Sequence, residues 1–218
     1  MKITLRTDMW PHWLLVAISN AELANEGAHA AREEQTSDHE PDGGLDGLTR
    51  ELHHSLQAVT ACAFATDSLY AAVKARAPAL TVEATWRKKR TKRTAQISET
   101  LRQHLGIKPK RAGEVRQHLD TLFRYRDWAV HPGSRFVEPY TRSDLQVALD
   151  WHYSAFSAVS AVNVTIATVG LFRALVPLAE TAKHPELREW HAGAADHVER
   201  VRQTMRSNCW GDYAAGSD

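Results

Sequence analysis

The sequence predicts an all-α protein, a bundle of about five or six helices forming a single domain over residues 1–218. Three observations lead there. Apolar residues recur at spacings of three and four along most of the chain, the period of one helix face. Start and stop signals bracket those stretches. Only Met1–Arg6 and Arg135–Thr141 have extended character, and there is no internal repeat. With 218 residues, 43% hydrophobic and 24% charged, the chain can bury a core without disulfide or metal staples. Two cysteines, Cys62 and Cys209, exclude a disulfide framework and a four-cysteine zinc site. They point to a reducing, cytoplasmic setting.

Each element has its own signal. Residues 12–36 read as a first helix. From Leu45 the apolar positions Leu48, Leu52, Leu56, Val59, Ala63, Tyr70 and Val73 form one long stripe. Asp42-Gly43-Gly44 supplies its start and Pro78 its stop. A shorter helix carries Ile97, Leu101 and Leu105, and Gly106 stands where a left-handed cap belongs. The next begins near Pro109, carries Val115, Leu119, Leu122, Phe123 and Val130, and ends near His131 because Pro132 disfavours the helical conformation before it. Ser143-x-x-Gln146 has the form of a capping box that opens a long helix through Leu145, Leu149, Phe156 and Ile166. Pro177 kinks or ends that helix. A last helix is expected over about 185–206, followed by a disordered tail over 207–218.

Membrane and targeting signals are weak. Leu14–Ile18 is too short for a signal-peptide core. Trp151–Phe172 has no formal charge and nearly the length of a span. Its His152, Ser154, Ser157, Ser160, Asn163, Thr165 and Thr168 fit the centre of a helical bundle better, so no membrane partner is expected.

The net charge of +1 conceals a strong segregation. Between Arg87 and Arg116 there are 11 Lys/Arg and 2 Asp/Glu, a local net of +9. The rest has 16 basic and 24 acidic residues, a net of −8. The densest part holds six cations in seven residues: Arg87, Lys88, Lys89, Arg90, Lys92 and Arg93. Such a run repels itself unless an anion neutralises it, which is the mark of a nucleic-acid backbone site. A solvated face matched by the protein's own acids would look the same in sequence.

The most informative segment is Arg126-Asp127-Trp128-Ala129-Val130-His131, followed by Pro132-Gly133. On a helical wheel with Val115 at the origin, Arg126 falls at about 20°, in the middle of the apolar face. An arginine aimed at a core needs a partner or a pocket. Asp127 and His131 are four apart, close enough for a carboxylate to orient an imidazole. A purely structural role is also open. Arg126 would then pair with an acid such as Glu51, Asp67 or Asp150, and His131 would cap the helix.

These residues resemble the signature of the HEPN superfamily (higher eukaryote and prokaryote nucleotide-binding domains). That signature is an Arg, usually followed by Asn, Asp or His, with a His four to six residues after the Arg. Arg126, Asp127 and His131 match the three places. The likeness extends to an all-α bundle with the motif late in a middle helix, over about 45–182. The resemblance implies a metal-independent endoribonuclease of the kind found in toxin and antiphage systems, acting as a homodimer, with a cognate antitoxin or other protein partner. It also leaves room for a non-catalytic module that binds RNA, a nucleotide or a protein.

The chemistry is compatible with the residue types. RNA cleaves when its 2′-hydroxyl attacks the adjacent phosphate. His131 would act as acid or base, Arg126 would stabilise the phosphorane, and Asp127 would hold the imidazole. RNA is the expected partner, and no cofactor or metal is expected: there is no His-Glu-x-x-His pattern, and His53-His54 point to different faces. Cys62 reads as a small core residue. Trp10, Trp13, Trp151 and Trp190 read as packing anchors, and Trp86 and Trp128 as rings on which a base could stack.

Overall fold

The computed structural model describes residues 7–36, 44–131, 138–145 and 147–207. The protein is all-α. Among the described residues there are eight α-helices, a 3-10 turn and one small hairpin. The helices are α1 (Trp10–Thr36), α2 (Gly44–Lys74), α3 (Glu83–Lys89), α4 (Arg93–Leu105), α5 (Pro109–Val130), α6 (Trp151–Ala155), α7 (Ala158–Leu175) and α8 (Pro185–Ser207). The count exceeds five or six because α3 and α6 are only 7 and 5 residues long. The expected tail from residue 208 on, Met1–Arg6, Asp42-Gly43, Pro132-Gly133, Gln146 and Cys209 lie outside the described residues.

α1 and α2 form an antiparallel pair. Trp13 meets Phe64 with ring centroids 5.0 Å apart, and further along Asn20 Oδ1 lies 2.9 Å from His54 Nδ1. At the far end the backbones nearly touch. A Cβ on Gly47 would stand 2.4 Å from Ala31 N, and one on Gly27 2.6 Å from Glu51 N. α2 then packs against α4, α5 and α7 as well, so it is the central helix. α8 closes the side formed by α1, α7 and the 3-10 turn Val176–Thr181.

The core is continuous from Trp10, Leu14 and Ile18 through Leu69, Leu101 and Leu119 to Phe172 and Leu187, all fully or almost fully buried. Burying each such side chain contributes about 1.5–3 kcal/mol. Cys62 lies within this core, as expected of it, and burial pushes its thiol up to about 11. Gly106 caps α4 with φ +67°. α5 opens on Pro109 at its first turn, and His131 is its C-cap residue.

One expectation fails. Ser143 does not open a long helix. Residues 140–149 form a hairpin, β1 (Tyr140–Arg142) and β2 (Val147–Leu149), with Tyr140 opposite Leu149 and Arg142 opposite Val147. A turn bond from Leu145 N to Arg142 O (3.2 Å) closes it. Tertiary contacts override the local pattern: Leu145 is buried with Ala31 and Leu48. Arg142 reaches back across 91 positions to Glu51, its Nη1 donating to Oε2 at 2.6 Å. The helices after it begin at other caps. Asp150 accepts from His152 N at 2.9 Å to start α6, and Ser157 accepts from Ser160 N at 3.3 Å to start α7.

Among the described residues two stretches, Asp46–Lys74 and Ala158–Thr181, have the length and apolar composition of a membrane span. The first is the central helix of the bundle, and the second buries Thr165 and Thr168.

Candidate nucleic-acid interface

α5 projects beyond the core. Leu119, Leu122 and Phe123 are buried, and after Phe123 no residue of the helix is. This corrects the wheel for the last two turns. Val130, on the apolar stripe, is 56% exposed, and the Arg126 side chain sits at the rim, 28% exposed. Its guanidinium lies over the Phe123 ring, 4.6 Å from the centroid. It thus covers the last core aromatic while keeping its charge at the surface.

The expected partners of Arg126 are otherwise engaged. Glu51 holds Arg142, Asp67 accepts from Arg93 Nε at 2.8 Å, and Asp150 is bonded to His152. Arg126 pairs instead with its neighbour. Its Nε donates to Asp127 Oδ1 at 3.1 Å, and Nη2 donates to the same oxygen. Asp127 is therefore bonded to Arg126 rather than to the His131 ring. His131 is exposed, and its backbone N–H donates to Asp127 O at 2.8 Å.

Beside Arg126 lies an open groove of about 760 Å³. Lys92 and Arg93, at the start of α4, form one wall; Arg124, Arg126, Asp127 and Trp128, near the end of α5, form the other. Thr94 Oγ1 donates to Asp120 across it at 2.6 Å. The groove therefore joins part of the basic run to the arginine of the motif, more than thirty positions later in sequence.

The basic run divides. Arg87, Lys88, Lys89 and Arg90 are exposed but do not line the groove. The first three occupy the last turn of α3, where cations oppose the negative end of the helix. Arg90 caps α3 in the left-handed region, with φ 49°. Lys92 and Arg93 line the groove, and Arg93 is held by Asp67 and by stacking over Tyr70, 4.3 Å from its centroid.

Of the two tryptophans singled out as base-stacking rings, Trp86 is buried and lies under the Lys74 ammonium, 5.7 Å from the ring centroid. It anchors α3 and is not available for stacking. Trp128 lines the groove, with the Arg124 guanidinium 5.4 Å from its ring. Its edges rest on Tyr125 (5.2 Å) and Trp151 (5.6 Å), and Tyr125 leans on the buried Phe156 (6.0 Å). α6 thus holds the groove's aromatic wall from behind.

No protein family, curated protein or solved structure matches the chain. The site must be read from its own chemistry.

The arrangement can bind an anion. Four cations face two carboxylates, Asp120 and Asp127, around an aromatic ring. Among the described residues no cluster of three or more His, Cys, Asp or Glu could hold a metal ion. The wheel singled out Arg126 alone, yet Arg116, Asp120 and Arg124 stand at four-residue intervals and share one face of α5. That spacing was the signal for Asp120 and Arg124 in the groove.

Proposed function

We propose that the protein is a HEPN-like, metal-independent endoribonuclease that binds RNA in this groove. The observation that supports the reading best is the meeting of Lys92 and Arg93 with Arg124, Arg126 and Trp128 in one open groove. Cations that track a phosphate backbone and a ring that accepts a stacked base are the two parts of a single-strand site. The reaction is attack of a 2′-hydroxyl on the adjacent phosphorus. The bond to the 5′-oxygen breaks, leaving a cyclic phosphate and a 5′-hydroxyl. Arg126 offers forked donors to the phosphorane, and His131 moves the proton. A phosphate that takes over the guanidinium releases the Asp127 carboxylate for the imidazole one turn on. The homodimer, the cognate protein partner, the toxin or antiphage setting and the cytoplasmic location belong to the same proposal, on the strength of the motif's resemblance.

A second reading has its own support. Arg126 is already paired with Asp127, and His131 does not line the groove. A module that binds RNA without cutting it would have this form. One assay separates the two: RNA incubated in chelator with wild-type protein, Arg126→Ala and His131→Ala. The endoribonuclease reading expects wild-type cleavage and a loss of about 100-fold or more in each variant. Binding without product selects the binding module, and product equal in all three overturns the assignment of the chemistry to Arg126 and His131.

A further inference from the structure

The groove continues along α5. A second cavity of about 440 Å³ is lined by Arg116, Gln117, Asp120, Thr121 and Arg124, with Gly113 at its edge. It shares Asp120 and Arg124 with the groove, so the two adjoin, and all its lining residues belong to α5, so it is an open face of that helix. This face carries guanidinium, amide and hydroxyl donors against one carboxylate. That carboxylate is already engaged, since Asp120 accepts from Thr94 Oγ1 and lies 3.9 Å from Arg116 Nε. Arg116 is 61% exposed, and Asp120 is its one ion-pair partner among the described residues. No side chain blocks the edge at Gly113, where a Cβ would meet nothing within 4 Å.

We propose that this face is a second phosphate subsite, and that the groove and the face together hold one strand of RNA laid along α5. The proposal rests on the RNA reading of the groove. Eight residues separate Arg116 from Arg124, a rise of about 12 Å along the helix axis, so the two serve different phosphates. A strand with one phosphate between Arg93 and Arg126 and a base against Trp128 would pass a phosphate by Arg124 and reach Arg116 with one further along. Arg116 and Arg124 stand in one row of α5, which suits one backbone. A duplex would present two backbones across a wide, shallow groove.

The test uses the whole chain in chelator and 2′-O-methyl uridine oligomers, which cannot be cut by 2′-hydroxyl attack. A dinucleotide, a decamer and a ten-base-pair duplex of 2′-O-methyl RNA are titrated by fluorescence anisotropy at several salt concentrations. Arg116→Gln should weaken the decamer about three- to tenfold, as expected for one partly exposed charged contact. It should also flatten the salt dependence by about 0.7 in log–log slope. The dinucleotide should bind Arg116→Gln as it binds wild type, whereas Arg126→Gln weakens both oligomers. Asp120→Asn should strengthen the decamer by removing the one acid on the face that carries Arg116. The subsite is overturned if Arg116→Gln leaves the decamer unchanged, if it weakens the dinucleotide equally, or if the duplex binds more tightly than the decamer. Wild-type protein that binds none of the three overturns the RNA reading itself, and the subsite with it.

Discussion

A carboxylate as buried as Glu51, which is 1% exposed, needs a donor for each of its oxygens. It has them. Oε2 accepts from Arg142 Nη1 at 2.6 Å; Oε1 accepts from Ala158 N at 2.7 Å and Arg142 Nη2 at 3.3 Å. Burial lowers the hold of Arg142 on its proton, but its bonds to Asp144 and Glu51 outweigh this and keep it charged. The same guanidinium holds the Asp144 carboxyl below its ordinary range. Glu51→Ala would leave a buried cation short of one partner and the Ala158 N–H without an acceptor. We expect a loss near 3 kcal/mol, the lower end for a broken buried pair because Asp144 remains. Urea unfolding would show it as a lower midpoint with little change in slope. An unchanged midpoint would mean that water replaces the lost bonds. This pair could not be read from the sequence, because its members are 91 positions apart and neither stands in a local motif. Arg126 itself stood out because a charge on an apolar stripe is a local anomaly. What became of it depended on where the core ends, and one helix does not reveal that.

Among the elements, those bounded by local chemistry could be read directly: α4 to its Gly106 cap, α5 from Pro109 to His131, and α8 from Pro185. The hairpin 140–149 could not, because Ser143-x-x-Gln146 has a legitimate helical meaning that Arg142 and Leu145 overrule from a distance. The α1–α2 pair hides its most demanding contact in two unremarkable glycines. At Gly47 an added Cβ would overlap backbone, not a side chain that can swing away. Gly47→Ala, although it favours helix locally, should therefore destabilise the protein by about 1–3 kcal/mol through overpacking. Gly113→Ala is the control. It faces open space and should gain several tenths of a kcal/mol from helix propensity. The two thermal midpoints should move in opposite directions. A rise at both positions would show that the helices do not approach as closely as described.

For the whole molecule, three imidazoles set the acid response. Burial lowers the pKa of His104, His118 and His197. For His104 and His197 neighbouring His184 and Arg200 act in the same direction. A histidine whose pKa is lower folded than unfolded prefers the native state when neutral. Its contribution is complete above the unfolded value of about 6.5 and is lost progressively as pH falls below it. Asp144 acts in a separate, more acid range, because its lowered carboxyl contributes above about pH 4 and loses that contribution below it. Urea midpoints should thus begin to fall between pH 7 and 5, before the carboxylates titrate. His118→Gln should flatten that first decline. A midpoint constant from pH 7 to 5 would contradict the burial of these rings.

The position of α2 at the centre has a consequence for how the site comes into being. α1 and α2 are joined in sequence and can zip together through nearby contacts. The groove's two walls, α4 and α5, are also neighbours in sequence and touch each other, but both must in addition dock on α2. Helix formation and site formation are therefore different events. A chain with all its helices wound but α4 or α5 undocked would keep its far-ultraviolet circular dichroism and have no groove. Ligand capture, rather than helical content, is the measure of complete assembly.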